Sequence, residues 1–252
     1  LVLAFFATLN FNLVPSVNPA VLSAYFACAV TIGIILFSLR GYLSPKSISK
    51  SWANTLIRYG GYGTIGVTSG VLFGYIDKIL INYYLTMADV GIYRAYYFAS
   101  LGVAMLLTQV FTTVFFPTAS KYENKEGILR RIKRLSPYLI ALGLPAIFCL
   151  ELIILKFYGK DYPLNLSLLL FAITALVFVF YNIYAWFVSS FGLQGARITA
   201  FVTLAMSIVN VGLNIFWIPK LGISGAILAT CITYLGSLLI FRFKIRRGIK
   251  VG

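Results

Sequence analysis

A polytopic α-helical membrane bundle is the fold class this sequence predicts, and three observations carry the prediction. The chain is 60% hydrophobic and only 11% charged, whereas a soluble domain needs about 25% charged residues to cover its surface. Its mean hydropathy is +0.92. Its apolar residues fall in runs of about twenty, the length that crosses a hydrocarbon core of roughly 30 Å. A transmembrane β-barrel would show short alternating segments instead, and none is visible. The fold is therefore all-α, with about seven full transmembrane helices and a partial one at the N-terminus.

The partial span runs from Leu1 to about Val14 and is closed by Pro15 and Pro19. The opening LVLAFFATLNF lacks the basic lead of a signal peptide and reads as a chain that begins partway through a helix. The full spans cover roughly 20–39, 59–84, 90–116, 136–156, 164–188, 198–217 and 222–241. Two of the intervening stretches, SISKSWANTLIRY (47–59) and KEGILRRIKRL (125–135), are basic and amphipathic. They read as interfacial helices anchored among headgroups.

Charge sets the orientation. The 21 Lys and Arg outnumber the 6 Asp and Glu, and 16 of the 21 fall in the gaps 40–58, 117–135 and 189–197 or in the tail from Arg242. With seven full spans these segments share one side, which the positive-inside rule makes cytoplasmic, together with the C-terminus. Basic residues so placed meet anionic membrane lipids. They leave no free basic face for nucleic acid, which is excluded as a partner. Cys28, Cys149 and Cys231 lie singly in separate apolar runs, read as small core residues, and offer no metal-ligand spacing.

Three spans carry polar residues in helical register. Thr199, Thr203, Ser207, Asn210 and Asn214 share one face of 198–217. Arg94, Tyr97, Thr108 and Thr112 share a face of 90–116 through Leu101 and Ala104, with Gln109 alongside. Ser167, Thr174 and Tyr181 recur every seven residues in 164–188, beside Asn182. One such stripe serves as interhelical glue; three together fit the walls of a wet cavity better.

The stretch GYIDKILINYY places Asp77 and Lys78 side by side inside a span, where each charge costs about 2.5–3.5 kcal/mol on insertion scales. Gly66, Gly70 and Gly74 form a small-xxx-small ridge that favours close helix packing. Asp77 continues that ridge and so faces protein, while Lys78 snorkels outward. Arg94 lies at comparable depth across the tight connection TMADVG and is the expected partner of Asp77, as a structural ion pair or as part of a charged cavity mouth. Glu151 is a weaker third member of that group.

Other signals do not hold. GYGTIG (61–66) follows no strand and opens a membrane span, so it is not a dinucleotide fingerprint. The NLS sequon at 165–167 abuts the start of a span. The chain has no histidine, and within the spans its carboxylates form no i, i+3 or i+4 pair. Metal sites and acid–base catalysis find no support, and the chain does not read as an enzyme.

DKILINYYLTMADVGIYRAYYF followed by FFPTASKYENKEG, the turn FYGKDY (157–162) and NVGLNIFWIPKLGISGAILAT (210–230) together resemble polysaccharide (O-antigen-type) flippases. The resemblance covers about 58 to 241. It implies the multidrug/oligosaccharidyl-lipid/polysaccharide exporter fold, two six-helix bundles around a cavity that opens alternately to either side. Its substrate is a lipid-linked oligosaccharide of the polyprenyl diphosphate type, flipped across the cytoplasmic membrane for cell-surface polysaccharide. On this basis residues 1–57 are the end of an N-terminal bundle with an inside linker, 58–241 a six-helix C-terminal bundle, and 242–252 a basic cytoplasmic tail. The chain is then half of a two-bundle exporter, needing its N-terminal bundle or a second copy. Arg94 and Lys78 become phosphate or sugar contacts. Tyr97, Thr108, Thr203, Ser207, Asn210 and Asn214 supply hydroxyl and amide groups, and Asp77 is the candidate for coupling to H⁺ or Na⁺. No cofactor is implied. The alternatives are a cation-coupled multidrug antiporter of the same superfamily and a truncated, non-transporting membrane protein.

Overall fold

The computed structural model describes residues 19–40, 49–121, 124–159, 162 and 167–248. They form α1 (Pro19–Leu39), α2 (Lys50–Tyr84), α3 (Met87–Tyr97), a π-helical turn (Phe98–Gly102), α4 (Val103–Lys121), α5 (Lys125–Tyr158), α6 (Ser167–Ser189), α7 (Gly192–Leu221) and α8 (Ile223–Arg246). No strand occurs among the described residues. Among the described residues, six helical stretches are long and apolar enough to cross a membrane, and Tyr25–Ser38 within α1 forms a shorter apolar helix. The chain is a polytopic membrane helix bundle. The expected partial span at Leu1–Val14, and Lys160 and Asp161 of the FYGKDY turn, lie outside the described residues.

Two compact units divide the chain, Leu1–Asn54 and Thr55–Gly252. The larger one is organised around α6, which packs against α3, α4, α5, α7 and α8. Lipid supplies no hydrophobic drive between helices, so small residues that permit close approach decide the contacts. Ala172 and Ala175 of α6, and Ala226 and Ala229 of α8, are fully buried where these helices meet their neighbours. Phe171 of α6 fills the remaining space against the rings of Tyr93 and Tyr96, each centroid 5.6 Å away. Tilted and edge-on pairs of this kind contribute about 0.5–1.5 kcal/mol each.

Both expected interfacial helices are absent as separate elements. The segment 50–59 is the first part of α2, and 125–135 is the first part of α5. At 35 and 34 residues these helices reach about 50 Å at 1.5 Å per residue, well past a hydrocarbon core of roughly 30 Å. A continuous helix keeps every backbone group satisfied while its basic turns project beyond the core. The turns are set by local chemistry. Thr86 and Asp89 form a capping box at the start of α3: the Asp89 amide donates to Thr86 Oγ1 (3.2 Å), and the Thr86 amide donates to Asp89 Oδ2 (3.1 Å). The closing turn falls at Gly222, whose φ of 61° suits glycine, and not at Ile218–Pro219, which stays inside α7.

The glycine ridge on α2 is only half a packing surface. A β-carbon at Gly66 would meet the Ala200 backbone at 3.9 Å, but at Gly70 and Gly74 it would meet nothing within 4 Å. Those two glycines leave space where close contact was expected. Tight approach occurs instead at Gly225, where an added β-carbon would lie 2.5 Å from the Trp217 carbonyl oxygen. Gly225→Ala is therefore expected to lose about 1–3 kcal/mol, as overpacking typically does, and to melt earlier in a detergent thermal-shift series. Gly60→Ala, which meets nothing within 4 Å, is the matched variant expected to melt with the wild type.

Candidate functional site

The only charged side chain of α2 that is fully buried is Asp77, 1% exposed. Its carboxylate accepts from Tyr93 Oη of α3 at 2.6 Å, from Thr230 Oγ1 of α8 at 2.9 Å and from Asn214 Nδ2 of α7 at 2.7 Å. Asn214 Nδ2 also donates to the backbone oxygen and to Oδ1 of Asn210, both at 3.0 Å. Asn210 Nδ2 reaches Thr230 Oγ1 at 3.5 Å. Asn214 Oδ1 is buried without a hydrogen-bond partner. One carboxylate thus ties α2 to three other helices through neutral donors.

The expected Asp77–Arg94 pair does not form. Arg94 is exposed, and the buried face of α3 runs through Tyr93 and Tyr96 instead. The cause is the π-helical turn at Phe98–Gly102. It inserts an extra residue per turn, so a face extrapolated backward from Leu101 and Ala104 arrives one residue early, at Tyr93 and not Arg94. Lys78 is half-buried and donates to the Gly74 carbonyl at 2.8 Å. Its ammonium lies over the rings of Tyr75 and Tyr97, at 4.7 and 4.9 Å, within electrostatic reach of Asp77 and Arg94.

The polar stripe on α7 divides between two environments. Ser207, Asn210 and Asn214 are fully buried; Ser207 Oγ donates to the Ser69 carbonyl of α2 at 2.9 Å, and the two asparagines belong to the Asp77 network. In this conformation they join helices. Thr203 does face a cavity of about 160 Å³, with Gly70, Gly74, Tyr97, Tyr181 and Asn182. Thr108 faces a larger one of about 540 Å³, with Gln109, Thr112, Thr113, Asn182 and Trp186. Asn182, Met105 and Phe178 line both, so the two form one cleft of hydroxyls, amides and aromatic rings. Among the described residues no carboxylate lines it.

Tyr93 and Thr230 were not singled out by sequence. Tyr93 lies four residues before Tyr97, a spacing that marks one helix face, but Thr230 is a lone threonine in an apolar run and gives no signal. Glu151 of α5 is fully buried. It accepts no hydrogen bond at either oxygen and takes no part in the Asp77 network.

A buried carboxylate network beside a polar cleft, inside a polytopic helix bundle, is the kind of interior found in membrane proteins that handle polar cargo. Residues 3–163 match the polysaccharide biosynthesis protein family, and the chain belongs to it. An uncharacterized membrane protein of Methanocaldococcus jannaschii is 28% identical over 209 residues, 81% of this chain and 49% of that protein. A probable low-salt glycan biosynthesis flippase of Haloferax volcanii is 23% identical over 202 residues, 76% of this chain and 42% of that protein. The chain thus spans half or less of the length of these curated relatives. No solved structure matches it.

Two substitutions separate the network from a merely buried acid. Asp77→Ala strands three donors; at about 0.6 kcal/mol per hydrogen bond in a membrane interior, the loss is expected to reach about 2 kcal/mol. Glu151→Gln removes a carboxylate that accepts nothing and is expected to change stability by less than about 1 kcal/mol. Thermal denaturation in a single detergent compares them directly.

Proposed function

We propose that this chain forms the C-terminal bundle of a flippase that moves lipid-linked oligosaccharide across the cytoplasmic membrane for cell-surface polysaccharide. The observation that carries this reading is the cleft: hydroxyls, amides and aromatic rings, without a carboxylate among the described residues, and with cationic Lys78 stacked on Tyr97 at its edge. Sugars take up hydroxyl and amide partners, and a polyprenyl diphosphate takes up a cation. Family membership, and the flippase of Haloferax volcanii to which the chain is similar, support the same assignment. They speak for a transporter and against an enzyme.

In this proposal Tyr97, Thr108 and Thr203 meet the sugars, and Lys78 with exposed Arg94 meets the diphosphate. Ser207, Asn210 and Asn214, buried in the present state, reach substrate only when the bundle changes shape. Asp77 is the coupling residue. Its three hydrogen-bond partners are neutral, so no hydrogen-bonded ion pair has to break before it takes up H⁺ or Na⁺. The second half of the cavity comes from an N-terminal bundle or a second copy, and the two rock about the substrate. The basic ends and the C-terminus face the cytoplasm. A cation–drug antiporter would place acidic groups in the cleft, which has none among the described residues.

Complementation with the whole gene in a strain lacking its own oligosaccharide flippase tests the assignment, with membrane expression confirmed for every variant. Wild type is expected to restore surface polysaccharide, and Lys78→Ala and Arg94→Ala to lower it about tenfold or more, the loss typical of a charged contact. Asp77→Asn is expected to abolish dependence on the ion gradient; full ion-driven transport by that variant would remove the coupling role.

A further inference from the structure

A crevice of about 410 Å³ opens on the side of the bundle between α5, α6 and α8, away from the polar cleft. It is lined by Lys133, Ser136 and Ile140 of α5, Phe180 and Tyr184 of α6, and Leu238 and Arg242 of α8. Each helix contributes residues three or four apart, so each presents one face to it. The running directions of the helices order these residues by depth. Helix α5 leads inward from the basic end of the bundle, while α6 and α8 run toward that end. Lys133, Arg242 and Tyr184 therefore lie at the mouth, and Ile140, Phe180 and Leu238 lie deeper. The crevice is cationic where headgroups sit and apolar where hydrocarbon begins.

Its polar groups are unspent. Lys133 and Arg242 are exposed, and neither has a hydrogen-bond or acidic partner among the described residues. Tyr184 is only 5% exposed, and its hydroxyl has no partner among the described residues. Ser136, by contrast, already donates to the Ile132 carbonyl at 2.8 Å. The floor is unfilled as well, since Ile140 is 50% exposed. The neighbouring cavity that shares Lys133 is a poorer seat for an anion. There Lys125 Nζ already donates to the carbonyls of Ala119, Ser120 and Ser190, and Glu126 lines the wall.

We propose that this crevice seats one anionic membrane lipid. Lys133, Arg242 and the Tyr184 hydroxyl hold its phosphodiester, and its hydrocarbon chain lies along Ile140, Phe180 and Leu238. The guanidinium offers two parallel donors to phosphate oxygens, and the ammonium adds a point charge. Basic pockets between membrane helices recognise anionic headgroups in this way. The occupant is a glycerophospholipid. The crevice has volume for a phosphate and the start of a chain but lacks the amides and additional hydroxyls that line the cleft, so it offers nothing to an oligosaccharide.

Native mass spectrometry of the full chain, released from micelles containing equal phosphatidylglycerol and phosphatidylcholine, tests the proposal. Wild type is expected to retain phosphatidylglycerol about tenfold more strongly, and Lys133→Ala/Arg242→Ala to lose that preference. Arg246→Ala/Arg247→Ala, at the same end but outside the crevice, is expected to keep it. No preference in wild type, a preference that survives in the first double variant, or an equal loss in the second would overturn the proposal. So would displacement of phosphatidylglycerol by an equimolar polyprenyl phosphate, which would make the lipid carrier the occupant.

Discussion

Three neutral donors from three helices converge on the carboxylate of Asp77, and the seating of α2 in the larger unit depends on that convergence. Helix α2 is mostly exposed along its length and makes its inward contacts through a few side chains, Ser69 to α7 and Phe73 against Tyr234 of α8 among them. In a lipid interior such contacts cannot draw on the hydrophobic effect, so directional bonds to a charged acceptor carry unusual weight. A cationic partner would have locked the carboxylate in a pair that is costly to separate. Hydroxyls and an amide hold it in place without a hydrogen-bonded ion pair, with Lys78 acting on it only through space, and the unpaired Asn214 Oδ1 beside it adds a second acceptor.

How much of this was readable from the sequence depended on whether the information was local. Span positions follow from runs of apolar residues, and α6, α7 and α8 lie where hydropathy puts them. The burial of Asp77 followed from helical spacing. The partner of Asp77 did not, because spacing arguments assume 3.6 residues per turn and the π-helical turn at Phe98–Gly102 breaks that assumption upstream of Leu101. The face of α7 was found as one stripe, yet its two ends do different things: Thr203 opens on the cleft, while Asn210 and Asn214 meet α2 and α8. Which end meets protein depends on helices distant in the chain, and periodicity carries no such information. The interfacial helices failed for a related reason, since an amphipathic start does not distinguish a separate helix from the overhang of a long one.

The two stretches that most resemble polysaccharide flippases, DKILINYYLTMADVGIYRAYYF and NVGLNIFWIPKLGISGAILAT, meet in the Asp77 network: the first supplies Asp77 and Tyr93, the second Asn210, Asn214 and Thr230. Their distinctive residues are therefore engaged in holding the bundle together at one buried point. The cleft is built mostly from other positions, on α4 and α6. Cleft and bundle-fastening network share Tyr93–Tyr97 stacking, with centroids 5.8 Å apart, and little else. The basic crevice on the far side of α6 is separate from both.

Gly70 and Gly74 border the smaller cavity, and a β-carbon at either would meet nothing. Both are exempt from the packing constraint that fixes Gly225, and neither belongs to the Asp77 network. Under the proposed function, a lineage that changes its glycan has two positions at which the cavity can be narrowed one methyl group at a time without loosening the bundle. Divergence in cargo can proceed at the wall of the cleft while its fastening stays unchanged.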